Sequence, residues 1–163
     1  RFLRQMITSV RSATGDDFLL LVRISPIIKS AGITIADSLE LATMLGETPI
    51  DALHISCWDV FQQVEDDNPH SLTRRFREVL PKELPLISTG AVWSAADAQW
   101  LMGEGADIVG VARVAIGHPE WPAGLENPEY SPQQPPFSEA QLAAADLSPV
   151  FIEYMKRWKG FVR

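Results

Sequence analysis

The chain has 163 residues, of which 46% are apolar and 21% are charged, and its formal net charge at pH 7 is −7. This composition is typical of a soluble globular protein and excludes a disordered chain. The acidic balance excludes a nucleic-acid partner, because binding to phosphate backbones requires an electropositive surface. No apolar run approaches the roughly 20 residues that span a bilayer, so we expect no membrane association and a cytoplasmic location.

The chain has a single cysteine, Cys57, which limits the disulfide bonds and metal sites that the chain can form. It cannot form an intramolecular disulfide, and it has no neighbouring cysteine with which to build a structural zinc site. Nothing in the sequence near it would lower its pKa, so we interpret it as a small apolar residue of the core. We therefore predict a reducing compartment and no metal site.

The first predicted element is a helix at the start of the chain. Its apolar residues recur at helical intervals: Phe2, Leu3, Met6, Ile7 and Val10. No capping residue or turn precedes this pattern, so we expect the chain to begin inside a helix.

Four short β-rich runs follow, and each is too apolar for a strand with one face in water. The predicted strands are Phe18–Ile24, Ala52–Cys57, Leu86–Thr89 and Asp107–Ala112. Helical patterns separate them, and two of these begin at capping-box signals, Thr34 with Asp37 and Ser94 with Asp97; the third runs from Ser71 to Leu80. The alternation predicts repeated βα units with buried parallel strands.

The number of strands defines the fold class that we predict. A (β/α)8 TIM barrel has eight parallel strands and typically about 250 residues, so four βα units correspond to half a barrel. We place this half-barrel, an α/β fold with strands 5 to 8 of the parent, at residues 1–121. Residues 122–163 are predicted to complete a proline-rich loop (Gly117–Pro136) and to form C-terminal helices, the last capped by Ser148 with Pro149 in its first turn. An open doubly wound sheet is the alternative.

Arg23 is the most informative residue for chemistry, because it interrupts the apolar run LLLVRI. An unpaired buried charge there would cost several kcal/mol, so we expect an anionic partner. Two interpretations stay open: an ion pair with an acidic residue elsewhere, or a cation that faces a ligand. His54, in the run ALHIS, is interpreted as a hydrogen-bonded core residue.

Ligands of parallel α/β folds bind beyond the carboxyl ends of the strands, where three further residues stand out. Gly90 follows the third predicted strand and lets the backbone approach a ligand closely. Arg113 follows the fourth, where a charge-assisted hydrogen bond to a phosphate is possible. Trp58 follows the second strand and fits the wall of a pocket or simple packing equally well.

Together these motifs resemble the C-terminal half of the Old Yellow Enzyme family of NAD(P)H-dependent FMN oxidoreductases. The resemblance rests on FLLLVRISP, ADSLELATML, DALHIS and PLISTGAVWSAADAQWLMGEGADIVGVARVAI, in that order, and runs from Arg1 to about Trp121.

The resemblance implies roles for particular residues. Arg23 would lie against the pyrimidine side of the flavin ring, where negative charge develops on reduction. Gly90 and Ala91, with Ala112 and Arg113, would hold the FMN phosphate, although Ala112 stands where the family usually has glycine. The groups that anchor the substrate carbonyl and donate a proton belong to the other half of the barrel in this family. We therefore assign no catalytic residue to this chain.

The resemblance also implies a function. We expect the FMN-binding half of an oxidoreductase that takes hydride from NADH or NADPH and reduces electron-poor alkenes such as α,β-unsaturated carbonyl compounds, with Trp58 at the substrate pocket. The expected partners are the small-molecule substrate, the missing N-terminal half of the barrel and further copies in a homo-oligomer. Alternatives are a catalytically inactive fragment with a structural or oligomeric role, and another FMN- or phosphate-binding TIM barrel. We expect the chain alone to be inactive.

Overall fold

The computed structural model describes residues 1–64 and 67–163. Its sheet has four parallel strands in the order β1-β2-β3-β4. Their bounds are β1 Leu21–Ile24, β2 Ala52–Ser56, β3 Leu86–Thr89 and β4 Ile108–Gly110. Sequential parallel strands confirm the predicted half of a (β/α)8 barrel. A doubly wound sheet reverses its strand order at a switch point, and the described strands show no such reversal.

Eight α-helices accompany the sheet within the described residues. They are α1 Phe2–Thr14, α2 Ile35–Gly46, α3 Leu72–Val79, α4 Ala95–Gly103, α5 Arg113–Gly117, α6 Trp121–Gly124, α7 Glu139–Ala144 and α8 Pro149–Met155. Helices α2, α3 and α4 connect successive strands, as parallel pairing requires. The predicted capping box of α2 is confirmed, because Thr34 and Asp37 each accept a hydrogen bond from the other's backbone N–H. Among the described residues, no helix has both the length and the apolarity to span a membrane.

Several predicted elements have different bounds in the structure; the fourth strand, predicted as Asp107–Ala112, is Ile108–Gly110. The strand expected from Phe18 begins only at Leu21, and Phe18 is exposed. The stretch Gly117–Pro136, predicted as an extended loop, contains α6. Its Pro122 lies in the first turn of that helix, where the missing N–H of proline is tolerated.

Burial divides the sheet into two faces. One face is buried at the centre of the sheet, where its side chains are Leu53, Ile55, Leu86 and Ser88. The expectation that all strands are buried is wrong for β1 and β4, since Leu21 is 45% and Ile108 is 51% exposed. These strands form the two edges of the described sheet, and every second side chain on them points to the face opposite the buried one.

Arg11 of α1 forms hydrogen bonds with the segments of the chain that precede β1 and β2. Its guanidinium donates to the Asp51 carboxylate at 2.6 Å and to the Phe18 and Pro49 carbonyls at 2.7 and 3.1 Å. The same carboxylate oxygen of Asp51 accepts from the backbone N–H of Leu20 at 2.6 Å. The hydrogen bonds from Leu20 and Arg11 hold the pKa of the Asp51 carboxyl below its ordinary value. One carboxylate thus joins α1 to the beginnings of both strands.

The chain forms two compact units. The first comprises Arg1–Gly90 and Trp100–Gly110, contains the sheet, and has Leu45, Leu53 and Phe76 in its core. The second comprises Ala91–Gln99 and Val111–Arg163. Its buried residues include Trp93, Val114, Trp121, Phe137 and Leu142. The indole N–H of Trp121 donates to the Trp93 carbonyl at 2.6 Å. The division of the chain at residue 121 stays a prediction.

Candidate active site

Four polar side chains share one face of the sheet in the first unit. Arg23 on β1 is the register partner of His54 on β2, and Ser56 on β2 is the partner of Thr89 on β3. Side chains at i and i+2 of a strand point to the same side, and paired residues point to the same side as each other. These four residues therefore form one surface, which we call the polar face.

Two diagonal hydrogen bonds connect the polar face across three strands. Nη2 of Arg23 donates to Oγ of Ser56 at 2.5 Å, and Nε2 of His54 lies 2.8 Å from Oγ1 of Thr89. Each bond reaches a residue two positions beyond the register partner. Both side chains thus lean toward the carboxyl ends of the strands, the end of a parallel sheet at which ligands bind.

Arg23 is exposed, so the premise that it is a buried charge is wrong. The physical reason is its place on an edge strand, on the face opposite the buried one. Among the described residues, no carboxylate forms an ion pair with Arg23; its hydrogen-bond partner is the neutral hydroxyl of Ser56. The role of Arg23 toward a ligand stays a prediction.

His54 lies on the polar face beside Arg23 and is only half-buried. Burial, and then the charge of Arg23, hold the pKa of His54 below its ordinary value of 6.5. The imidazole is therefore neutral at pH 7, and Arg23 is the permanent cation of the polar face. The interpretation of His54 as a core residue was wrong, because its side chain lies on the polar face. The expectation that it has a hydrogen-bond partner was correct, and that partner is Thr89.

The lowered pKa of His54 makes the stability of the fold pH-dependent. The unfolded chain takes up this proton near pH 6.5, before the folded chain does, so the contribution of His54 is fully present above that pH and is lost as the pH falls below it. We expect the free energy of unfolding to fall below pH 6.5 more steeply in the wild type than in His54→Gln. Urea titrations from pH 8 to pH 5 measure both slopes. An NMR titration that gave His54 a pKa at or above 6.5 would contradict the prediction.

The backbones of β2 and β3 approach each other closely at Gly90. The N–H of Cys57 donates to the Thr89 carbonyl at 2.8 Å, and the N–H of Val60 donates to the Gly90 carbonyl at 3.3 Å. Gly90 has a φ of +152°, and a Cβ built on it would lie 2.5 Å from the Cys57 carbonyl oxygen. A glycine is therefore required here both by conformation and by space.

A small cavity of about 180 Å³ opens beside the polar face at the ends of β1 and β2. It is lined by Pro26, Ile27, Lys29, Ser56, Cys57, Trp58, Gln62 and Leu72. Trp58 is 79% exposed, as expected for a residue at the rim of an opening and not for one packed in the core. The assignment of Trp58 to a substrate pocket stays a prediction.

Cys57 is confirmed as a buried residue, with 7% of its surface exposed. Burial raises the pKa of its thiol to about 12, although a hydrogen bond with Ser88 partly opposes this effect. Ser88 also lies 2.8 Å from the hydroxyl of Thr73 on α3, and both of these side chains are fully buried. This small network connects the buried face of the sheet to α3.

Three predicted phosphate-binding residues belong to the second unit. Ala91 has a φ of +54°, an uncommon conformation for a residue with a side chain. Ala112 has a φ of −135°, the negative value with which an alanine can replace the glycine expected there. Arg113 is the first residue of α5. Gly90 lies in the first unit. The phosphate site made of these four residues stays a prediction.

Comparison with known proteins identifies the family. The family model described as NADH:flavin oxidoreductase / NADH oxidase matches residues 1–130, which include the whole sheet. The chain belongs to this family. Membership in the NADH:flavin oxidoreductase / NADH oxidase family confirms the resemblance stated from the sequence motifs.

Three curated relatives of this family match with similar identity. An NADH oxidase of Thermoanaerobacter brockii is 28% identical over 75% of the chain, and a probable NADH-dependent flavin oxidoreductase of Bacillus subtilis (strain 168) is 31% identical over 71%. An NADH:fumarate oxidoreductase of Klebsiella pneumoniae (strain 342) is 28% identical over 71%. The matches span 20%, 33% and 13% of these relatives' own lengths, so the chain corresponds to only a part of each relative.

Proposed function

We propose that this chain is the FMN-binding part of an NADH-dependent flavin oxidoreductase. The observation that carries the proposal is the guanidinium of Arg23, exposed on the polar face and hydrogen-bonded to the neutral hydroxyl of Ser56. Membership in the flavin oxidoreductase family supports the cofactor, and the names of the relatives support NADH as the reductant.

The residues of the polar face fit the pyrimidine edge of a flavin. FMN, when bound, supplies hydride transfer between a nicotinamide and a second substrate. Arg23 would offer a permanent positive charge and several N–H donors to the edge that becomes negative on reduction. His54 stays neutral at pH 7 and adds no charge that would compete for the same position. Arg23 therefore supplies the electrostatic stabilisation in this proposal.

The phosphate of FMN would be held at the turns that follow β3 and β4. Gly90 and Ala91 follow β3 directly, and Ala112 and Arg113 come shortly after β4. Backbone N–H groups in such turns bind phosphate oxygens, and an arginine adds a charge-assisted hydrogen bond. We propose these four residues as the phosphate site.

The proposed acceptors are electron-poor alkenes such as α,β-unsaturated carbonyl compounds, with Trp58 as one wall of their pocket. The cavity beside Trp58 supports this position, because Ser56 lines it and also contacts Arg23. A proton donor and a group that binds the carbonyl would come from the other half of the barrel, which we propose as a partner of the described sheet. NADPH instead of NADH is a second candidate reductant.

A structural or oligomeric role for the chain is the alternative, and one observation favours it. Leu21 and Ile108 are exposed apolar side chains on the two edge strands, and edge strands pair readily with a further strand. In this alternative the sheet would be completed by another copy of the chain, and no flavin would bind.

The preference of the protein for FMN over riboflavin tests the phosphate site. In full-length protein, we expect Arg113→Ala to weaken FMN binding about 10-fold to 100-fold. This range corresponds to roughly 1.5–3 kcal/mol, the contribution of a hydrogen bond to a charged group. Riboflavin has no phosphate, so its affinity should not change. Fluorescence quenching of each flavin during titration gives both dissociation constants.

Arg157→Ala is the matched control for this test, because Arg157 lies just after α8 and contacts the ring of Tyr154. It should leave both affinities unchanged. An equal loss of FMN and riboflavin affinity in Arg113→Ala would show that Arg113 acts on the fold and not on the phosphate. A wild-type protein that stays colourless and oligomeric in excess FMN would favour the structural alternative.

A further inference from the structure

We propose that Ser56 is a positioning residue for Arg23, whose hydroxyl fixes the guanidinium in the orientation required at the flavin edge. This inference rests on the proposed function, because it assigns a second residue to the same site. Ser56 touches no reacting group in this proposal; it acts only through Arg23.

An exposed arginine on an edge strand needs such a partner. Its side chain has several rotatable bonds, and in water it samples many rotamers unless a contact selects one. The guanidinium is a planar fork with five N–H donors in fixed directions. When Nη2 is held at 2.5 Å from Ser56 Oγ, the plane of the fork and the directions of its remaining donors are restricted as well.

The neighbouring hydrogen bond favours the same arrangement. His54 is the direct register partner of Arg23, and its ring leans toward Thr89, at 2.8 Å between Nε2 and Oγ1. The two hydrogen bonds run in the same diagonal direction across the strands. Arg23 bonds to Ser56, two residues beyond its register partner on β2, and His54 bonds to Thr89, two residues beyond its register partner on β3. Ser56 also lines the cavity next to Trp58, so the residue that holds the guanidinium belongs both to the polar face and to the lining of that cavity.

The midpoint potential of bound FMN is the decisive measurement, because a purely structural role of Ser56 would not change it. Full-length protein loaded with FMN is titrated by dye-linked reduction for the wild type, Ser56→Ala, Ser56→Thr and Arg23→Ala. We expect Ser56→Ala to lower the preference for reduced over oxidised flavin about tenfold, which is about 30 mV for a two-electron couple. Ser56→Thr retains the hydroxyl, so its bound FMN should have the wild-type midpoint potential. In the Arg23→Ala background, Ser56→Ala should cause no further change.

Ser88→Ala is the matched control, since Ser88 lies on the adjacent strand and its hydroxyl is buried against Thr73 on the other face. It should destabilise the fold and leave the potential unchanged. An equal shift in Ser88→Ala would overturn the inference, because general loosening would then explain the effect of Ser56→Ala.

The failure of this inference differs from the failure of the proposed function. If Arg23→Ala lowers the potential and Ser56→Ala does not, Ser56 has no positioning role and the proposed function stands. If Arg23→Ala leaves the potential unchanged, or if the wild type binds no FMN, the proposed function fails and this inference fails with it.

Discussion

Replacing Arg23 by alanine is expected to slow the reduction of bound FMN by NADH about 10²-fold to 10³-fold in full-length protein. The magnitude is that of removing one preorganised donor from a position where negative charge develops. Arg23→Lys should give an intermediate rate, because lysine keeps the positive charge and lacks the planar fork. Anaerobic stopped-flow bleaching of the flavin absorbance measures the three rates.

The control for Arg23 is Arg4→Ala on α1. Arg4 forms an exposed ion pair with Glu47 at 3.0 Å, and such pairs contribute little to stability. This variant should therefore reduce its flavin at the wild-type rate. If Arg23→Ala also kept the wild-type rate and the wild-type affinity for FMN, the role given to Arg23 would be wrong.

Replacing Gly90 by alanine is expected to lower the free energy of unfolding by about 2–4 kcal/mol, the combined cost of backbone strain and overpacking. The new Cβ would lie 2.5 Å from the Cys57 carbonyl oxygen, and the residue would have to keep a φ of +152° or distort the end of β3. Chemical denaturation followed by circular dichroism measures the loss.

Gly103→Ala is the corresponding control. Gly103 is the last residue of α4, and a Cβ built on it meets no atom within 4 Å. Alanine favours helix over glycine, so this variant should be as stable as the wild type or slightly more stable. Equal denaturation midpoints for Gly90→Ala and Gly103→Ala would show that the strand ends at Gly90 can separate without cost.

The sequence predicted the fold well where a residue has one strong local role. Thr34 and Asp37 marked the start of α2 because their side chains satisfy backbone donors that a helix leaves unpaired. The bounds of β3 were predicted without error. The helix α6 was missed because Pro119 and Pro122 look like helix breakers, although a proline in the first turn breaks no hydrogen bond.

The site could be predicted only in part. Arg23 was named as a candidate because a charge in an apolar run is conspicuous in the sequence. Ser56 and Thr89 were not among the residues assigned a role from the sequence, because a hydroxyl at a strand end has no such signal. His54 was placed in the core because the alternation along a strand shows only that His54 and its neighbours in the chain point to opposite faces. It does not tell which of the two faces is buried. Only the register of β1, β2 and β3 brings these residues together.

The environment of Cys57 has a consequence for the proposed acceptors. Electron-poor alkenes are electrophiles that alkylate thiolates, and Cys57 lines the cavity proposed to admit them. With its pKa raised to about 12, the sulfur stays protonated at neutral pH, where it is a poor nucleophile. If the proposed acceptors enter this cavity, the burial that packs Cys57 against the sheet also protects its thiol from alkylation by them.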